Sequence, residues 1–154
     1  GEWSRGSSAL IKIVAKGLKF YTRGSNGYVD VRDVANAMVK WMLSNIKGER
    51  FILSATNVTY KELFSQIAHY LSVKPPFILA GKYLSAVAWR MLAFISFFTG
   101  KSPVITKESS ATANRLYNYD GSKIYRVLPF TYHEFNETIK WVCAAFLQQS
   151  NFNK

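Results

Sequence analysis

Between Phe20 and Leu71 the apolar period of the chain alternates between short β-prone runs and spacings of three and four, with only short turn-forming segments between them. Strand, helix, strand, helix joined by short loops is the order of an α/β fold. Ahead of this stretch, Ser7 and Ser8 precede Ala9, Leu10, Ile11, Ile13 and Val14, and Gly17 follows the last apolar position. A hydroxyl cap at one end and a residue suited to a left-handed turn at the other predict a helix over 8–16. Phe20-Tyr21-Thr22 and Tyr28-Val29-Asp30-Val31 flank Gly24-Ser25-Asn26-Gly27, which predicts two strands around a tight turn. From Asp33 onward, Val34, Ala37, Met38, Trp41 and Met42 share one face of a helix reaching about Ser44. Asp30 and Asp33 lie across the strand-to-helix junction, where one of them serves as a cap.

Phe51-Ile52-Leu53 predicts a short buried strand of a parallel sheet. Thr59 and Glu62 form a capping-box pattern, and Tyr60, Leu63, Phe64, Ile67, Ala68 and Leu71 supply the stripe of the next helix, which Pro75-Pro76 closes. Two strand-helix units cannot complete a sheet, so further strands are expected from elsewhere, and the open edge favours self-association. Residues 82–99 predict a long apolar helix interrupted by Lys82 and Arg90. An arginine near the centre of a span costs about 2.5 to 3.5 kcal/mol, which favours a buried or groove-lining helix over a membrane span. A short helix is expected from Thr106 to Asn114. Thr131 with Glu134 is expected to cap a last helix bearing Phe135, Ile139, Val142, Cys143 and Phe146, with a tail that frays from Gln148 and lies outside the domain over 151–154.

Composition narrows the class. The chain has 154 residues, 49% hydrophobic, enough for one domain over 1–150. Its net charge of +11 is spread singly between apolar runs apart from Lys12, Lys16, Lys19 and Arg23, the pattern of a solvated face. Basic and aromatic residues are not interleaved on any one element, which disfavours nucleic acid. One cysteine, Cys143, excludes an internal disulfide and fits a reducing cytoplasm. The start, Gly1-Glu2-Trp3, lacks the order of a signal peptide and reads as a cut within a longer protein.

Motifs of chemistry are conspicuous by absence. No Gly-rich phosphate loop follows a strand, no Cys or His cluster has metal-ligand spacing, and no nucleophile elbow is present. His69 and His133 read as surface histidines. Tyr119 and Lys123 stand four apart, the spacing at which a helix aligns a phenol with an ammonium, but Asp120-Gly121 between them is a turn signal. No catalytic, cofactor-binding or metal-ligating residue is therefore assigned.

These blocks together resemble the C-terminal part of an extended short-chain dehydrogenase/reductase, in the NAD-dependent epimerase/dehydratase family and near its dihydroflavonol-reductase-like members. Gly27-Tyr28-Val29-Asp30-Val31-Arg32-Asp33-Val34-Ala35 resembles the family's aromatic-Val-x-Val-x-Asp-Val-Ala block, the most specific of the matches. Gly1-Glu2-Trp3-Ser4 resembles the segment after a Tyr-Gly-Pro-Gly-like turn. Glu49-Arg50-Phe51-Ile52-Leu53 is similar to the sixth or seventh strand of the sheet, and Tyr119-Asp120-Gly121-Ser122-Lys123 with Leu128-Pro129-Phe130 to the stretch before the last helix, where Pro129 replaces the usual Gly.

The resemblance implies a Rossmann-type α/β fold, helix-rich with a few short strands, of which this chain forms the C-terminal, substrate-binding portion. It implies NAD or NADP for the full-length protein and none for this part, with the dinucleotide loop and the catalytic Ser, Tyr and Lys in an N-terminal half. The expected partners are a small-molecule substrate and that half, or a second copy. Asn26 stands where the nucleotide-sugar branch carries an arginine, which points to an apolar carbonyl or hydroxyl substrate instead. Trp3, Ser7, Asn26 and Tyr28 are the candidate substrate-lining residues. The alternative is a basic membrane-associated or scaffold module built on the helix over 82–99.

Overall fold

A computed structural model of the chain describes residues 3, 7–81 and 113–152. The helix expected over 82–99 and nearly all of that over 106–114 lie outside them. In chain order the elements are α1 (Ser8–Ala15), β1 (Phe20–Tyr21), β2 (Ser25–Tyr28), α2 (Val31–Met42), β3 (Thr56–Thr59), α3 (Tyr60–Tyr70), β4 (Ile78–Leu79), α4 (Lys123–Val127) and α5 (Phe135–Phe152).

Side-chain caps set the starts of α2 and α3, whereas the hydroxyl cap expected of Ser7 on α1 is not made. Gly17, just past α1, has φ +86°, the left-handed conformation a glycine adopts without a Cβ penalty. Asp30 caps α2 by accepting from the Arg32 backbone N–H at 2.8 Å, leaving Asp33 inside the first turn. Thr59 and Glu62 complete a reciprocal capping box on α3, with each side chain bonded to the other's backbone N–H. At α5 the structure departs from the expectation. The helix begins at Phe135, with the Thr138 N–H bonded to the Glu134 carbonyl, so Thr131 lies well before it. It also runs through Gln148 to Phe152, and Trp3 braces this end by packing edge-on against Phe146, centroids 5.0 Å apart, and donating to Gln149 at 2.5 Å.

The strands correct the sequence reading more deeply. Phe20-Tyr21 and Tyr28 are not arms of one hairpin. β1 pairs in parallel with β4, Phe20 opposite Ile78, while β2 pairs antiparallel with β3, Ser25 opposite Thr59 and Tyr28 opposite Thr56. The segment Gly24-Ser25-Asn26-Gly27 is extended because its backbone is engaged on both sides. Gly24 and Ser25 N–H groups donate to the carbonyls of Ala113 and Arg115, and the Ser25 carbonyl accepts from Tyr117. Its glycines serve close approach instead of turning: a Cβ on Gly24 would stand 2.4 Å from the Ala113 carbonyl oxygen, and one on Gly27 2.6 Å from Ser54 Oγ. Phe51-Ile52-Leu53 forms no strand. Phe51 and Leu53 pack on a small core of Ala37, Ile124 and Phe130, and Phe51 meets Trp41 edge to face at 4.1 Å.

The larger core joins α1, α3 and α5 through Ile11, Val14, Leu63, Phe64, Ile67, Ala68, Ile139 and Cys143. Full burial of a side chain such as Ile67 stabilises by about 1.5 to 3 kcal/mol. Among the described residues no helix is long and apolar enough to cross a membrane.

Candidate functional site

Where β2 ends and α2 begins, the chain turns past the first residues of α1 and α5 and leaves a cavity of about 230 Å³. Its apolar wall includes Leu10, Ile11, Leu63, Ile67, Ile139 and Val142, and its polar members include Ser7, Tyr28, Asp30, His133 and Thr138. A mostly apolar hollow with a few converging polar groups is the usual form of a small-molecule site.

Two buried carboxylates organise one side. Asp30, 3% exposed, accepts from the Arg32 backbone and takes its guanidinium through Nε at 3.0 Å and a terminal nitrogen at 2.6 Å. It also accepts from Thr138 Oγ1 at 2.8 Å, tying α2 to α5. The Arg32 side-chain hydrogen bonds hold the Asp30 carboxyl far below the usual carboxylate range, against the opposing effect of burial. Arg32 in turn lies over the Trp141 ring at 4.6 Å. Three residues on, Asp33 is fully buried, and both its oxygens meet His133: the backbone N–H at 2.9 Å and ring Nδ1 at 2.5 Å.

Tyr28 borders the cavity, with its ring 5.9 Å from that of Phe135. Its hydroxyl is buried with no hydrogen-bond partner among the described residues, and burial, then the neighbouring Tyr60, push its ionisation well above the ordinary phenol range. An orphaned buried hydroxyl carries a desolvation cost of about 1 to 3 kcal/mol that a bound acceptor would remove.

Of the four residues singled out from sequence, Ser7 and Tyr28 line this cavity. Ser7 stands at the N-cap position of α1 and makes no side-chain capping bond. Trp3 is engaged with the end of α5, and Asn26 sits in β2 opposite Val58, its side chain accepting from the Gly27 N–H; neither lines the cavity. His133, read as a surface residue on a helix, is exposed as expected but precedes α5 and pairs with Asp33. Its only local signal is proximity to the Thr131–Glu134 helix start, because the partner is 100 residues away. The Tyr119–Lys123 spacing has a structural outcome: Asp120 accepts from the Ser122 N–H in a tight turn, α4 starts at Lys123, and Lys123 bonds Glu49 at 2.6 Å and the Arg50 carbonyl.

Among the described residues no three His, Cys, Asp or Glu side chains gather as a metal site. Gly24, Gly27 and Gly121 are closed over by Ala113, Arg115, Ser54 and Tyr119 of this chain, while Gly17, Gly48 and Gly81 have nothing within 4 Å of an added Cβ. A pyrophosphate loop needs glycines whose backbone faces the ligand.

The architecture is mixed α/β, helix-rich with a few short strands, and it matches part of the fold of two solved structures. It is similar to gox2253, known from a crystal structure, with a TM-score of 0.69 and 20% identity over 92% of this chain and 43% of that one. It is also similar to PA4631, a nucleoside-diphosphate-sugar epimerase from Pseudomonas aeruginosa, with a TM-score of 0.67 and 16% identity over 94% of this chain and 43% of that one. At such identities the likeness is one of fold, and the chain spans less than half the length of either structure. No protein-family model matches the chain, and no curated protein matches it.

Proposed function

We propose that this chain is the substrate-side part of an NAD(P)-dependent oxidoreductase or epimerase that acts on a small carbonyl or hydroxyl compound. In this reading the dinucleotide and the catalytic Tyr and Lys belong to a part of the protein outside residues 1–154. The observation that carries it is the cavity at the junction of β2 and α2, on the very block, Gly27 to Ala35, that resembles the dehydrogenase signature. The substrate is apolar, because the wall is predominantly hydrocarbon. The chain's own residues would exclude water with Ile11, Leu63 and Ile139, and meet the substrate's oxygen with the unpartnered hydroxyl of Tyr28.

Calorimetric titration of residues 1–154 with NAD⁺ and NADP⁺ tests the division of labour. No binding is expected, because this reading places the dinucleotide on a part of the protein outside residues 1–154. A micromolar dissociation constant for either dinucleotide would refute it.

A further inference from the structure

A carboxylate taken out of water must have its oxygens occupied. Asp33, at 0% exposure, satisfies both through a single residue, His133. The backbone bond on Oδ2 and the ring bond on Oδ1 fix the orientation of the imidazole. Because a carboxylate only accepts, the proton between them sits on Nδ1 of the histidine, and a neutral ring then carries its lone pair on Nε2. Nε2 has no partner among the described residues. The His133 side chain remains 41% exposed and forms part of the cavity wall. Of its polar neighbours there, Asp30 is filled by Arg32 and Thr138 and the Thr138 hydroxyl is given to Asp30, which leaves the Tyr28 hydroxyl as the other open group of the wall.

The hollow has room for a ring beside this nitrogen. A dry hollow of about 150 Å³ holds benzene. About 230 Å³ accommodates a single ring with a short substituent.

We propose that His133, oriented by Asp33, is the hydrogen-bonding head of the cavity and accepts the hydroxyl proton of a ring-sized apolar alcohol. Asp33 is a positioning residue, and His133 Nε2 is the atom that touches the ligand. This inference rests on the reading of the cavity as a substrate site and adds the ligand's chemical class and the residue that selects it.

Benzyl alcohol and toluene, equal in ring and differing by the hydroxyl, are titrated into ¹⁵N-labelled protein, the wild type and His133→Phe, and followed by amide shifts. The wild type should bind benzyl alcohol more tightly than toluene by about twofold to tenfold, the value of one net hydrogen bond. The variant should lose that preference and keep its toluene affinity. If neither compound binds the wild type, the cavity is no substrate site and the functional reading falls with the inference. If both bind with no preference, or the preference survives in His133→Phe, the cavity stands and the role of His133 is refuted. Benzoate bound in preference to benzyl alcohol would refute the alcohol assignment in favour of an anion. Independently of the variant's folding, the ring ¹⁵N shifts of wild-type His133 should report the Nδ1–H tautomer, with His69 as reference; the Nε2–H tautomer overturns the proposal.

Discussion

Asp30 is the residue whose removal should cost the described fold most per atom. Its carboxylate caps α2, receives Thr138 from α5 and grips the Arg32 guanidinium, all from a side chain 1% exposed. Losing an N-cap costs about 1 kcal/mol, and losing the hydrogen bond from Thr138 to a charged carboxylate costs about 1.5 kcal/mol. The Arg32 side chain is 39% exposed, so solvent screening limits the ion pair to about 1 kcal/mol or less. Asp30→Ala should therefore destabilise by about 3 kcal/mol, from these contributions together. Asp30→Asn keeps an oxygen for the Arg32 N–H and for Thr138 and forfeits the charge, so its loss should be about 1 kcal/mol. The pH dependence separates the two effects. The folded-state carboxyl is held below its unfolded value of about 3.9, so the ionic contribution is complete above that pH and disappears as pH falls toward the folded value. Urea unfolding followed by circular dichroism at pH 7, 5 and 3.5 should show the gap between wild type and Asp30→Asn narrowing in the acid. A pH-independent gap, or a loss below about 1 kcal/mol for Asp30→Ala, would refute the assignment of this network.

Three further outcomes are open to measurement. Thr59→Ala removes one half of the α3 capping box and should cost about 1 kcal/mol, with Thr59→Ser close to wild type in thermal melts. Gly121→Ala places a Cβ 2.3 Å from the Ser54 carbonyl oxygen and should destabilise by about 1 to 3 kcal/mol. Gly81→Ala meets nothing within 4 Å and should be neutral or stabilising by up to about 1 kcal/mol; equal losses at both sites would contradict the close approach. Cys143, 1% exposed and with its thiol pushed up to about 11 by burial, should resist a thiol reagent at pH 8 until the protein is unfolded, and prompt labelling of the native chain would contradict its burial.

The helices were legible where the signal is local. The Thr59–Glu62 box completes its chemistry within a few residues, and Gly17 takes the left-handed conformation expected just past α1, so the sequence carries the cause of both, although Ser7 makes no side-chain cap. The strands were not, because their causes are distant. Gly24-Ser25-Asn26-Gly27 has the composition of a tight turn, and what extends it is a set of carbonyls from 113–115 that no window around Asn26 contains. Phe51-Ile52-Leu53 has the hydrophobicity of a buried strand, yet its backbone lies outside the ladders while the more polar Thr56–Thr59 pairs with β2. The candidate site divides in the same way. Ser7 and Tyr28, which border the cavity, were named through a resemblance carried by the segments around them, whereas His133 acquires meaning only when the fold brings it to Asp33.

The parallel pairing of β1 with β4 makes a clasp of two residues on each side, closing everything from β2 through α3 between Phe20 and Ile78. Joining such distant points costs chain entropy before so short a ladder can return it. The capped helix α3, by contrast, needs only its own neighbours. Assembly is then expected to start within the enclosed segment and to fasten the clasp last. Weakening the clasp, for example at the Ala80 N–H to Tyr21 carbonyl bond, should speed unfolding and leave the folding rate nearly unchanged.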